Sequence, residues 1–115
     1  MKLADNLNKS SKDNKMYNGN YNYDHKTVSG WQSSAIGVYY IGQVGANGSL
    51  IAHYVGKGTG DGGIKARLLA HLNQERWQDA THFGYTIFTN AQEAINFEAA
   101  EIRRLQPKYN TQGII

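Results

Sequence analysis

Ile36-Gly37-Val38-Tyr39-Tyr40-Ile41-Gly42-Gln43-Val44-Gly45-Ala46-Asn47-Gly48-Ser49-Leu50-Ile51-Ala52-His53-Tyr54-Val55-Gly56 reads as two β-strands around one turn. Both ends are rich in β-branched and aromatic residues, which fit a pleated surface. Asn47-Gly48 is the dipeptide that most readily takes positive φ at both central positions of a tight turn, so an antiparallel hairpin is expected. If those two residues are the whole turn, Ala46 faces Ser49. Counting outward, Ile41 then faces Tyr54 and Tyr39 faces Gly56. Tyr39 and Tyr54 become diagonal neighbours on one face, with Cβ atoms roughly 7 Å apart, whereas a slip of one residue would send them to opposite faces.

Downstream, glycines at 56, 58, 60, 62 and 63 make a bend before a helix expected over residues 64–74. Ile64, Leu68 and Leu72 form its apolar stripe, and Arg67 and His71 stand four apart on an adjoining face. A third strand is expected over 82–89, where Phe83, Tyr85 and Ile87 alternate with smaller or polar residues. Asn90 then caps a second helix, Glu93 completes the capping-box pattern, and Pro107 marks its far end. Its inward stripe is Ala91, Ile95, Glu98, Ile102 and Leu105. Glu98 therefore occupies an apolar position, where an unpaired carboxylate costs several kcal/mol; it needs a metal, a strong donor, or a cation such as Arg67 or Arg104. The expected fold is α+β, a small three-stranded mixed or antiparallel sheet flanked by helices.

Upstream, residues 1–30 hold six Asn and five Lys among few aliphatics, too little apolar surface to order alone, and read as an extended polar arm before a folded domain at 31–115. Within the arm, Tyr17 to Tyr23 partly alternates and is able to add a strand or short hairpin to a sheet edge; tyrosines among lysines also suit stacking on bases. The whole chain, 115 residues with no cysteine, has room for one modest core held by packing alone. No apolar stretch is long enough for a bilayer or a signal peptide, so the expectation is a soluble cytoplasmic protein without a membrane partner. The net charge of +3 leans toward an anionic partner. Lys57, Lys65, Arg67 and Arg76 surround the first helix, and Arg103, Arg104 and Lys108 end the second. The glycine-rich bend lacks the spacing and Lys-Ser/Thr ending of a Walker sequence, which argues against nucleoside triphosphate binding.

Gly37-Val38-Tyr39 followed by Tyr54-Val55-Gly56 resembles the paired motif of the GIY-YIG nucleases, with Val in place of Ile once in each half. The resemblance continues through Arg67 and His71 on the first helix, Glu98 on the second, and Pro107-Lys108-Tyr109-Asn110, covering roughly residues 36–110. It implies a metal-dependent endonuclease that hydrolyses phosphodiester bonds, DNA more readily than RNA. It further implies that Glu98 is the sole protein ligand to one divalent metal, Mg²⁺ with Mn²⁺ able to substitute. Tyr54 would help deprotonate the attacking water, Tyr39 would orient the nucleophile or scissile phosphate, and Arg67 would stabilise the developing charge. His71 would act as a donor or proton shuttle, and Asn110 would position the group. Lys57, Lys65 and Arg76 are the candidate nucleic-acid contacts. Two other readings use the same residues: a nucleic-acid-binding module without catalysis, and a protein-interaction domain centred on the tyrosine-rich arm.

Overall fold

The computed structural model describes residues 16–111; positions 1–15 of the expected arm and the last four residues lie outside them. Four strands, β1 (Asn18–Asn22), β2 (Ile36–Val44), β3 (Leu50–Gly58) and β4 (His82–Phe88), form one sheet in the order β1-β4-β2-β3. Every pairing is antiparallel. Helices α1 (His25–Gly30), α2 (Gly63–Asn73), α3 (Ala91–Leu105) and the short α4 (Lys108–Thr111) complete the order. The α+β reading holds, but the sheet has four strands rather than three. Its fourth strand comes from the polar upstream segment, which supplies backbone partners to the side of β4 that β2 leaves open. Tyr23 and Val28 are buried, and the Asp24 side chain accepts a hydrogen bond from Thr27 N (2.7 Å) to cap α1. The folded unit therefore includes residues well before 31, and the described part of the expected arm is structured.

Strand alternation divides the core into two layers. One face carries Tyr39, Ile41 and Phe83 against Val28 of α1 and Ile64 and Leu68 of α2. The opposite face carries Val38, Tyr40 and Val55 against Ala94 and Phe97 of α3. The expected register is reached by a different route. The turn comprises three residues, Ala46-Asn47-Gly48: Gly45 N donates to Ser49 O (2.9 Å), and the Asn47 side chain accepts from Ser49 N (3.0 Å). That pairs Val44 with Leu50, one residue away from the two-residue-turn alignment. A bulge between the Gly42–Ala52 and Ile41–Tyr54 pairs absorbs the difference at His53, so Tyr39 still faces Gly56.

The helix α3 is rotated from its expected orientation. Ala94 and Glu101 are buried while Ile95 is exposed, and Ala91 also faces solvent. Phe97, Ile102 and Leu105 pack partly buried against the core. The deeply buried carboxylate is thus Glu101 rather than Glu98. The Tyr40 hydroxyl donates to Glu101 Oε1 (2.7 Å), and Arg104 donates to both carboxylate oxygens at 2.8 and 2.7 Å. Those donors let the helix turn a charged residue inward and leave Ile95 outside. Among the described residues, no helix is long and apolar enough to cross a membrane.

Candidate active site

Tyr39 leaves β2 on the α2 side and runs across Gly56 of the paired strand. A Cβ at position 56 would lie 2.5 Å from both Cζ and Oη of Tyr39, so only glycine admits the ring there. The Tyr39 hydroxyl meets His71 Nε2 at 2.7 Å, and both side chains are buried. Burial above all, then neighbouring Tyr54, pushes the Tyr39 phenol well above the usual tyrosine range; the Arg67 guanidinium opposes this without reversing it. His71 is pushed the other way, down to about 4, by burial first and then by Arg67 and Arg76. At neutral pH a phenol therefore donates to a neutral imidazole. The imidazole proton then resides on Nδ1, a buried atom with no hydrogen-bond partner among the described residues.

The half-buried Tyr54 leaves β3 beside this pair, its ring centroid 6.2 Å from that of Tyr39 and 5.6 Å, edge-on, from His71. Its open face is stacked on Trp77 at 4.2 Å. Tyr54, Arg67, His71, Gln74, Arg76 and Trp77 are among the residues lining a cleft of about 340 Å³. Trp77 had no sequence signal beyond its bulk in a polar loop, and it adopts left-handed φ (54°), which aims the indole back over Tyr54 and His71. Arg76, exposed at the cleft rim, lies over the same indole at 5.8 Å.

Two further elements frame the cluster. Asn110 Oδ1 accepts from Val55 N (2.8 Å) while Nδ2 donates to Val55 O (2.9 Å), so one amide pairs with the outer edge of β3 as another strand would. Asp79 secures α4 by accepting from Lys108 Nζ (2.9 Å) and Tyr109 OH (2.8 Å). From the opposite face of the sheet, α3 brings Glu98, whose Oε1 accepts from Lys57 Nζ at 3.2 Å. The Glu98 charge is close enough to Tyr39 to help hold the phenol proton. The expected site residues Tyr39, Tyr54, Arg67 and His71 come together, Glu98 is near enough for its charge to act on Tyr39 but lines no part of the cleft, and Asn110 steadies β3 at Val55. Lys57 is engaged by Glu98, and Lys65, on another face of α2, donates to Ser29 O (3.0 Å).

Among the described residues no cluster of three or more His, Cys, Asp or Glu is available for a metal. A divalent ion bound here would have Glu98 as its protein ligand and leave its remaining positions to water. That fits a hard cation which retains much of its hydration. The Glu98 side chain is 15% exposed and its partner Lys57 is 40% exposed, so the ammonium is free to yield the oxygen to a stronger cation.

The buried imidazole has a pH consequence. Between about 4 and the ordinary histidine value of 6.5, the unfolded chain binds the His71 proton and the folded chain resists it. Stability from neutral His71 is complete above pH 6.5 and is lost as pH falls toward 4, by about 3 kcal/mol in all. Urea unfolding at pH 7 and 4.5 should show this loss in the wild type and much less of it in His71→Gln. Equal losses in the two proteins would contradict the buried neutral imidazole.

No family model matches the chain, and neither a curated protein nor a solved structure matches it.

Proposed function

We propose that this chain is a metal-dependent endonuclease of the GIY-YIG type, hydrolysing phosphodiester bonds of nucleic acid, DNA in preference to RNA. The observation that carries the reading is that Tyr54, Arg67 and His71, from one strand and one helix, line one polar-rimmed cleft, with the buried Tyr39 hydroxyl held behind it on His71 and the Glu98 carboxylate acting on Tyr39 from α3. Exposed Arg67 turns its guanidinium onto a non-bridging phosphate oxygen and stabilises the charge that builds there. The Tyr39 hydroxyl stays on His71 behind the cleft, beside the Arg67 charge, and orients the phosphate-binding constellation from within. Tyr54, half exposed at the cleft, relays the proton from the attacking water. As the water oxygen bonds to phosphorus, the bond to the 3′-oxygen breaks; the proton shed by the water passes through Tyr54 to solvent in the open cleft, and the leaving 3′-oxygen takes one up from solvent. His71 touches no substrate in this scheme. Its neutral Nε2 fixes the Tyr39 hydroxyl, which makes it a positioning residue. A divalent ion on Glu98 would supply charge neutralisation at the phosphate and ease ionisation of water.

The test is cleavage of single-stranded DNA, duplex DNA and RNA in Mg²⁺, in Mn²⁺ and with chelator. Turnover should require metal, and Arg67→Ala should lower it by about 10²–10³-fold, the scale of losing one oxyanion donor, with an unchanged unfolding midpoint because Arg67 is exposed. No cleavage of any substrate with either metal would overturn the enzyme reading. The Lys57–Glu98 pair is what favours the second reading, a nucleic-acid-binding module in which that carboxylate is structural.

A further inference from the structure

The upstream tyrosines bring to the sheet a second feature that the proposed reaction does not use. Tyr21 of β1 stacks beside Tyr85 of β4, with centroids 5.9 Å apart and planes within 17°. Trp31, just after α1, stacks on the same Tyr85 at 4.6 Å and 29°. Buried Phe83 lies tilted against both Tyr21 (5.6 Å) and Trp31 (6.5 Å). With Thr27 and Gly30 of α1, these rings line a pocket of about 230 Å³ that opens to solvent. A cluster serving only the core would be covered, yet Tyr21 remains 40% exposed.

The geometry points to a stacking platform for one unpaired base of single-stranded nucleic acid, made by Tyr21, Trp31 and Tyr85. Near-parallel rings lining a solvent-open pocket suit a planar aromatic guest of any sequence. Cations at the rim favour one joined to an anionic backbone: Lys65 Nζ sits 3.0 Å from Ser29 O, beside Gly30 of the pocket wall, and exposed Lys26 precedes Thr27 on α1. Position agrees with the same guest. Tyr85 pairs directly with Tyr39, so platform and cleft share a sheet face. On α2, Lys65 donates to Ser29 of α1, next to the platform wall, while Arg67 lines the cleft. A strand held at the platform therefore lies on the sheet face that carries the cleft. The identity of the polymer as a substrate rests on the nuclease reading; the platform itself does not.

Trp31 and Trp77 are the only tryptophans, so Trp77→Phe leaves Trp31 as the single reporter. Titrating that full-length variant with a short oligothymidylate in chelator should quench Trp31 emission saturably. Adding Tyr21→Ala, or Tyr21→Leu to retain strand propensity, should weaken binding about tenfold, the scale of losing one stacked base. Absence of quenching overturns the platform, whether or not anisotropy detects binding elsewhere. So does an affinity unchanged by both Tyr21 variants, or quenching by a proline-rich peptide but not by the oligonucleotide. Quenching without metal-dependent cleavage by the wild type would sink the nuclease reading alone, and wild-type cleavage without quenching would sink the platform alone.

Discussion

Glu98→Gln is expected to give a folded protein that binds nucleic acid as the wild type does but cuts it at least about 100-fold more slowly in Mg²⁺, because the amide keeps the side chain's shape and removes the charge a hard cation needs. Stability should change little. The partner Lys57 is 40% exposed, so the freed ammonium returns to water, and a pair of that kind contributes about 0–1 kcal/mol. Unfolding therefore does not separate a metal ligand from a structural carboxylate at this position, and turnover does. A Glu98→Gln protein cutting at near wild-type rate in Mg²⁺ would refute the metal assignment, while a wild type that binds without cutting would favour the non-catalytic module.

Glu101→Ala should have the opposite signature, a destabilisation of about 3–5 kcal/mol with normal activity in the molecules that remain folded. Glu101 is 3% exposed and holds two dissimilar donors, the Tyr40 hydroxyl and the Arg104 fork. Burial, reinforced by the Glu101 carboxylate, holds the Tyr40 phenol well above the usual tyrosine range, so Tyr40 stays a donor across the accessible pH range. Removing the acceptor strands that hydroxyl inside the core and leaves a cavity under α3. Glu101→Gln, which keeps an acceptor for Tyr40, should cost about 1–3 kcal/mol. Urea unfolding of the three proteins checks the order, and a Glu101→Ala midpoint equal to the wild type would contradict the buried network.

The contrast between these two glutamates marks where pattern reading failed. Both lie on α3, three residues apart, and the apolar stripe drawn through Ile95 selected Glu98 as the inward carboxylate. Tyr40 and Arg104 stabilise Glu101 instead, and neither donor is visible in a count of apolar positions. The turn failed in a milder way. Asn47-Gly48 marked the hairpin correctly, but the Asn47 side chain took the Ser49 amide and lengthened the loop, and the compensating bulge at His53 has no compositional signal.

Local chemistry along the chain was sufficient for β2, β3 and β4 and for the extents of α2 and α3, but not for the inward face of α3. Alternating β-formers placed β2, β3 and β4; Asn90 and Pro107 bounded α3; and the spacing of Arg67 from His71 put that pair on one cleft, whereas Tyr39 and Tyr54 share a face because the bulge at His53 restores the register. Those features depend on backbone periods of two and 3.6 residues, which nearby residues set. Tertiary structure decided that the 18–22 segment, legible as a strand or a hairpin, becomes a single strand on β4, and it alone decided that Trp77 folds back over Tyr54, that Gly56 makes room for Tyr39, and that Glu101 rather than Glu98 is buried. Each of these depends on partners distant in sequence: an open edge on β4, an aromatic face, a ring crossing the neighbouring strand, and a hydroxyl 61 positions away. Contacts of that kind acquire their energy only when the chain is assembled, since desolvation and hydrogen-bond satisfaction belong to the packed interior and not to the local segment.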